Sequence, residues 1–310
     1  MRSTLTAVVS AALCSASLAF AQLPPPPPLP TPPPIPPLPA DPVPIELTVL
    51  GKKVQGKIVL PGGIGADLTI TFENVVGLNP EALQASATLV NPLDPNLLSR
   101  LPGPGVSIPV AFPVLIRVGP SPTSALSFAG IYTISLHTHN LPLDPGLPLS
   151  LFKSPDGGPF RDITRWEGRG SYRDDGGGGD FSEFLIGVDM QLIDSVIVFK
   201  FADLQATLTD NAGSMPPFVL DTLQALLSNA LAFYQSGDLV KAIAEIKNFS
   251  RYAEGQPRTV QPSSTVTFVL KEQHIPDVWR ANCGDLVNVA GLLRSRADTL
   301  AFSLDRKAGQ

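Results

Sequence analysis

From residue 45 to about 189, apolar and polar positions alternate in short runs that end at glycine, proline or Asx, the period of strands half buried in a sheet. Residues 45–50 and 54–60 flank a Gly51-Lys52-Lys53 turn, and 67–72 follow a loop over 61–65, so a three-stranded meander is expected first. Further strands are expected over 106–110, 114–118, 129–139, 149–153, 161–166 and 184–188, with a turn at Pro155-Asp156-Gly157-Gly158; residues 79–83 read as a turn or one helical turn. No amphipathic helix interrupts the series, which predicts an immunoglobulin-like antiparallel β-sandwich over 45–190.

Beyond Asp189 the period lengthens to about 3.6. Ile197, Phe201, Leu204 and Leu208 make one stripe, behind Asp194 as the expected cap. Pro216 and Pro217 open a second helix with Leu220, Leu223, Leu227, Ala230, Leu231 and Tyr234 on its stripe. Gly237 stops that helix and Asp238 caps a third, which carries Leu239, Ala242, Ile243, Ile246 and Phe249 up to Gly255. A strand over 265–270 and a long helix from Pro276 follow, the helix with the stripe Trp279, Cys283, Leu286, Ala290, Leu293, Ala297 and Leu300. The whole is α+β: a sandwich, then a helical hairpin or bundle over 191–310.

The first 44 residues break both periods. Arg2, an apolar stretch over 5–20 and Ala19-Phe20-Ala21 before Gln22 have the pattern of a cleaved signal peptide over 1–21. The stretch is shorter than the ~20 residues of a membrane span, and later apolar runs are short or, as in 286–300, broken by Arg294, Arg296 and Asp298. No transmembrane segment is therefore expected after cleavage, and the expected location is periplasmic or secreted. Residues 22–44 are almost all proline and small apolar residues; such a chain forms a solvated, semi-rigid spacer, read here as a stalk in preference to a ligand for a proline-recognition domain.

Composition narrows the function classes. Lys and Arg number 22 against 27 Asp and Glu, a net charge of −5, which argues against nucleic acid or an anionic membrane as partner. Of two cysteines, Cys14 would leave with the signal, so Cys283 stands alone without an intramolecular disulfide and is expected in the core. His137 and His139 are two apart in a strand and share a face, within reach of one zinc ion, though two ligands do not complete a site. Asp174, Asp175 and Asp180 surround four glycines in what reads as a hairpin tip, and their oxygens suit calcium. Tyr132, Trp166 and Tyr172 are candidates for a sugar-stacking platform. Nucleophile-elbow, P-loop and dinucleotide signatures are absent, so no catalytic residue is assigned and no cofactor is expected beyond calcium.

The run from Leu151 through Pro155-Asp156-Gly157-Gly158 to Thr164, followed by Phe181-Ser182-Glu183-Phe184, resembles the closing hairpin and following strand of bacterial extracellular β-sandwich domains. From Ile45 onward the chain resembles an uncharacterised exported bacterial family, a domain of unknown function with a sandwich followed by helices; the resemblance implies no activity and no site. Tyr234-x-x-Gly237-Asp238-x-x-x-Ala242 is similar to the junction of paired helices in tetratricopeptide units, without a second copy. The expectation is a noncatalytic exported module that binds an envelope polysaccharide or protein, or serves a structural role. The alternative is a secreted hydrolase of a polysaccharide with carboxylates from 174–180.

Overall fold

Alternation along the strands becomes two faces of a sandwich in the computed structural model. It describes residues 41–309 except 123, 125, 143–147, 156, 169–170, 179–180, 256, 261–267, 272–277, 280–285 and 288. In chain order the strands of the sandwich are β1 (Val43–Pro44), β2 (Leu47–Leu50), β3 (Lys53–Leu60), β4 (Ile64–Val76), β5 (Leu83–Leu89), β6 (Val106–Ser107), β7 (Val114–Pro120), β8 (Ser127–Pro142), β9 (Leu149–Ser154), β10 (Arg161–Asp162), β11 (Thr164–Gly168), β12 (Ser171–Gly178) and β13 (Ser182–Asp189). One sheet has six strands in the order β11-β12-β8-β4-β3-β2; the other has seven, β1-β5-β7-β13-β9-β10 with β6 beside β13. All pairings within the two sheets are antiparallel.

Inward positions of both sheets form one core, with Val54, Leu68, Ile70, Ile134 and Leu136 from the six-stranded sheet facing Ala87, Ile116, Leu151, Phe184 and Ile186 from the seven-stranded one. Phe72, Phe128, Tyr132 and Phe181 close one end of it as an aromatic cluster with ring centroids 5.3–6.3 Å apart. The outer face of the seven-stranded sheet is covered as well: Leu97 of the short helix α1 (Pro95–Leu98), with Leu101, Val106 and Ile108, packs on Leu115, Phe152 and Leu185.

Three strands of the sandwich were not expected. β1 falls at the end of the proline-rich stretch and pairs with β5; β5 follows the turn expected over 79–83, and Leu83, Ala85, Ala87 and Leu89 alternate inward in it. β12 was read as a glycine-rich tip, yet it pairs along β8 from Arg173–His137 to Gly178–Tyr132. The glycines of β12 are required by close approach: a Cβ at Gly176 would lie 2.4 Å from Ile163, one at Gly177 2.8 Å from Arg165 and one at Gly178 2.7 Å from the Tyr132 hydroxyl.

The helices α2 (Ile193–Asp210), α3 (Pro217–Gln235), α4 (Leu239–Glu254) and α5 (Val289–Ala308) share a second apolar core. Asp238 caps α4 by accepting the Lys241 N–H at 3.1 Å, and Gly237 precedes it at φ +82°, as the sequence predicts. Asp194 does not cap α2; that helix starts after Leu192, and the Asp194 carboxylate instead accepts from Tyr234 of α3 and Lys307 of α5. The long final helix is shorter than expected. Val278–Trp279 (β16) pairs antiparallel with Leu286–Val287 (β17), and α5 begins only at Val289. Trp279 and Leu286, which fit the apparent 3.6 period, are register partners in that pairing. Cys283 lies outside the described residues. Another hairpin, Pro257–Val260 (β14) with Phe268–Lys271 (β15), overlaps the strand expected over 265–270.

The strand and helical regions lie in one compact unit, Leu38–Gln310. α5 joins them. Arg294, 9% exposed, donates from both Nη atoms to the two oxygens of Glu73 on β4 at 2.8 and 2.9 Å, and Asp298 pairs with Arg165 of β11 at 2.9 Å. No helix among the described residues is long and apolar enough to cross a membrane.

Candidate functional site

Where the edge of the sandwich meets α2 and α5, the chain leaves a cleft of about 270 Å³. β9 and β10 supply Lys153, Arg161 and Asp162, the end of β13 supplies Asp189, α2 supplies Phe199, Lys200 and Asp203, and α5 supplies Arg296. Its charges are matched in pairs across the junction. Lys200, 6% exposed, reaches Asp162 at 2.6 Å, and donates to the Thr299 carbonyl at 3.2 Å and the Ser303 hydroxyl at 2.9 Å. Asp203 receives Arg161 at 3.2 Å on one oxygen and Arg296 at 2.6 Å on the other. Several acceptors around a buried ammonium offset the hydration it gives up.

Asp189 differs from its neighbours. Burial pushes its carboxyl above the usual range and nearby Asp162 pushes the same way, against the Gln191 N–H that donates to it at 3.0 Å. Phe199, 48% exposed, offers an apolar ring at the mouth. None of the lining residues was singled out in the sequence as a site, because the cleft assembles from separate segments spread over residues 102–299; Lys200 on the polar side of the α2 stripe was the available signal.

The two histidines expected to share a face do so, with ring centroids 5.6 Å apart at the end of β8. The structure adds a third donor, Asp67 of β4, the register partner of His137. Its Oδ2 lies 3.0 Å from His139 Nε2 and 3.4 Å from His137 Nδ1, and one donor atom from each residue falls in a set no wider than 4.8 Å. The hydrogen bond from His139 holds the Asp67 carboxyl below its usual range, with burial opposing and both histidines and Lys57 assisting. His139 packs against the backbone of β4 where residue 65 is glycine; a Cβ there would come within 3.1 Å of His139 Nδ1. Asn140 fixes the same corner by accepting the Gly65 N–H at 2.9 Å.

The calcium candidates are not brought together as a loop. Asp174 and Asp175 are consecutive residues of β12, paired with Leu136 and Ser135, and Asp180 lies outside the described residues. The aromatic platform also divides: Tyr132 is 1% exposed and belongs to the core, whereas Trp166 is exposed on β11.

No curated protein and no solved structure matches the chain. A family model does, described as a family of unknown function, DUF6689, and it spans residues 11–308. That span takes in the whole of the sandwich, the cleft, the Asp67–His137–His139 cluster and the helical core, so the chain belongs to the family of unknown function DUF6689.

Proposed function

We propose that the protein is an exported, noncatalytic binding module of the cell envelope or extracellular space, and that its cleft between sandwich and helices receives the ligand. The observation that carries this reading is the cleft's charge matching: Lys200 with Asp162, and Asp203 with both Arg161 and Arg296. Groups already satisfied by one another hold a shape; they present hydrogen-bonding edges without a strong net field, which suits a neutral or weakly anionic polar ligand such as a saccharide unit of an envelope polysaccharide. The cleft is slightly below the usual ~300–1,000 Å³ of small-molecule sites, which suits a single unit with the rest of a polymer outside. Export is supported by the signal-like residues 1–21 and the proline-rich spacer over 22–44.

The test is calorimetric titration of the full chain with envelope polysaccharide fragments, beside Phe199→Ala and Gln191→Ala at the mouth. Saturable binding weakened by these variants supports the cleft; binding unchanged by either removes it. N-terminal sequencing of protein recovered outside the cell tests export, which a start at Met1 would refute.

A second reading, a secreted polysaccharide hydrolase, is favoured by one feature of the same cleft. Burial pushes Asp189 toward the protonated state that a general acid needs, while nearby Asp162 is held by Lys200. Release of reducing ends by the wild type and its loss in Asp189→Asn would establish it.

A further inference from the structure

We infer that Asp67, His137 and His139 form a zinc-binding site on the outer face of the six-stranded sheet, independent of the cleft. Three facts of geometry meet there. His137 and His139 are two residues apart on one strand and turn their rings to the same side. Asp67 is the cross-strand partner of the first and within 3.0 Å of the second. Tetrahedral zinc with ligand bonds of about 2.0–2.2 Å needs donor atoms spaced at ~3.3–3.5 Å. Of the two Asp67 to histidine separations, 3.4 Å falls within that spacing and 3.0 Å just short of it, and the three donor atoms lie within 4.8 Å of one another, so a zinc ion needs a modest opening of the set about the carboxylate.

Ligand type sets the metal. Two imidazoles and one carboxylate favour zinc over calcium or magnesium, which prefer all-oxygen shells. The side chains are also reachable, at 48% exposure for Asp67, 26% for His137 and 39% for His139. Three protein ligands leave a fourth position for water or for an atom of a bound molecule. The positions are held by more than chance proximity: the long β4–β8 ladder sets the Asp67–His137 register, and Gly65 leaves room for the His139 ring.

One neighbour on the sheet opposes the cation: Lys57 on β3 is the other register neighbour of Asp67. A zinc ion must therefore bind against the Lys57 charge, so removing that charge should tighten binding by about threefold, while removing a ligand weakens it. Opposite effects from adjacent residues distinguish ligation from general attraction to a surface.

The experiment is calorimetric titration of the full chain with Zn²⁺ after treatment with EDTA, repeated with Co²⁺ under visible absorption. The expected result is saturation at about one equivalent, with affinity lowered at least tenfold in His139→Ala and in Asp67→Asn and raised in Lys57→Gln. Melting in EDTA checks that each variant is folded; two ligand variants on different strands guard against loss of one. Cobalt should give weak visible bands without the intense near-ultraviolet band of thiolate ligation. A thiolate band would assign the metal to a cysteine and overturn the inference. So would undiminished affinity in the His139→Ala and Asp67→Asn variants, or no saturable binding to the wild type.

Discussion

Replacing Glu183 with alanine tests the electrostatics of the sandwich most directly. Its side chain is 1% exposed on β13, and Arg117 approaches it at 2.6 Å while Arg100 donates to its other oxygen. Burial alone would raise this carboxyl, but hydrogen bonds from Arg100 and Arg117 prevail and hold it below the usual carboxylate range. Removing one member of a buried pair costs about 3–5 kcal/mol because the partner stays buried without its counter-charge. Arg117 is 59% exposed and recovers water, so little of the cost comes from it. Arg100 keeps the Gly158 carbonyl and the Ser154 hydroxyl, both at 2.9 Å, and lies 4.5 Å from the Phe160 ring centre. The lower end, ~3 kcal/mol, is therefore expected, or a fall in Tm of ~6–12 °C for a body of this size.

The pH dependence gives an independent check. A carboxyl whose folded pKa is depressed stabilises the fold fully above its unfolded value, near 4.5 for glutamate, and loses that contribution as pH falls through the folded value. Urea unfolding followed by tryptophan fluorescence should thus separate wild type and Glu183→Ala by ~3 kcal/mol at neutral pH and by progressively less in acid. A difference below ~1 kcal/mol at neutral pH, or one that persists undiminished in strong acid, would refute the reasoning.

Other expectations follow from the cleft and the sheet. Lys200→Ala leaves Asp162 buried without its ammonium and should cost about 3–5 kcal/mol in chemical unfolding, whereas Lys200→Met with Asp162→Asn should recover part of that loss. Asp189→Asn keeps the acceptor for the Gln191 N–H and removes a charge that burial disfavours, so it should raise Tm slightly at neutral pH. The gain should shrink on acidification, because the wild-type carboxyl gains its proton in the folded state before the unfolded one does, and thermal melts across pH measure it. Gly187→Ala would put a Cβ 2.7 Å from the Phe152 ring and 3.3 Å from the Ser107 carbonyl, and should lower stability by roughly 1–3 kcal/mol in the same melts.

How far each part could be read in advance depended on the range of the interactions that fix it. The β2-β3-β4 meander, the Gly237-Asp238 junction and the α4 stripe are set by neighbours in sequence, and they stand where alternation and capping place them. β12 was concealed because its glycines imitate a loop, and only the approach of Ile163, Arg165 and Tyr132 explains why side chains are excluded there. The start of α5 was concealed because Trp279 and Leu286 happen to fit a helical stripe, although they pair across a hairpin. In the candidate metal site the histidine pair was legible from its spacing of two, but Asp67 was not. Pairing of β4 with β8 joins residues some seventy apart, and one carboxylate among the polar positions of β4 carries no mark of its partner. The cleft had no sequence signal of its own beyond a lysine beside an apolar stripe, since its ion pairs join β10, α2 and α5.

The position of α5 also bears on the order in which the molecule can acquire its shape. Leu293, Ala297, Leu300 and Leu304 complete the apolar core among α2, α3 and α4, while Arg294 and Asp298 reach back to β4 and β11. Until residues 289–308 have been synthesised, three helices expose an unfilled seam and Glu73 lacks its guanidinium partner. The shared core of α2, α3 and α4 is therefore closed only when α5 docks, and the same helix fastens that core to the sandwich through β4 and β11.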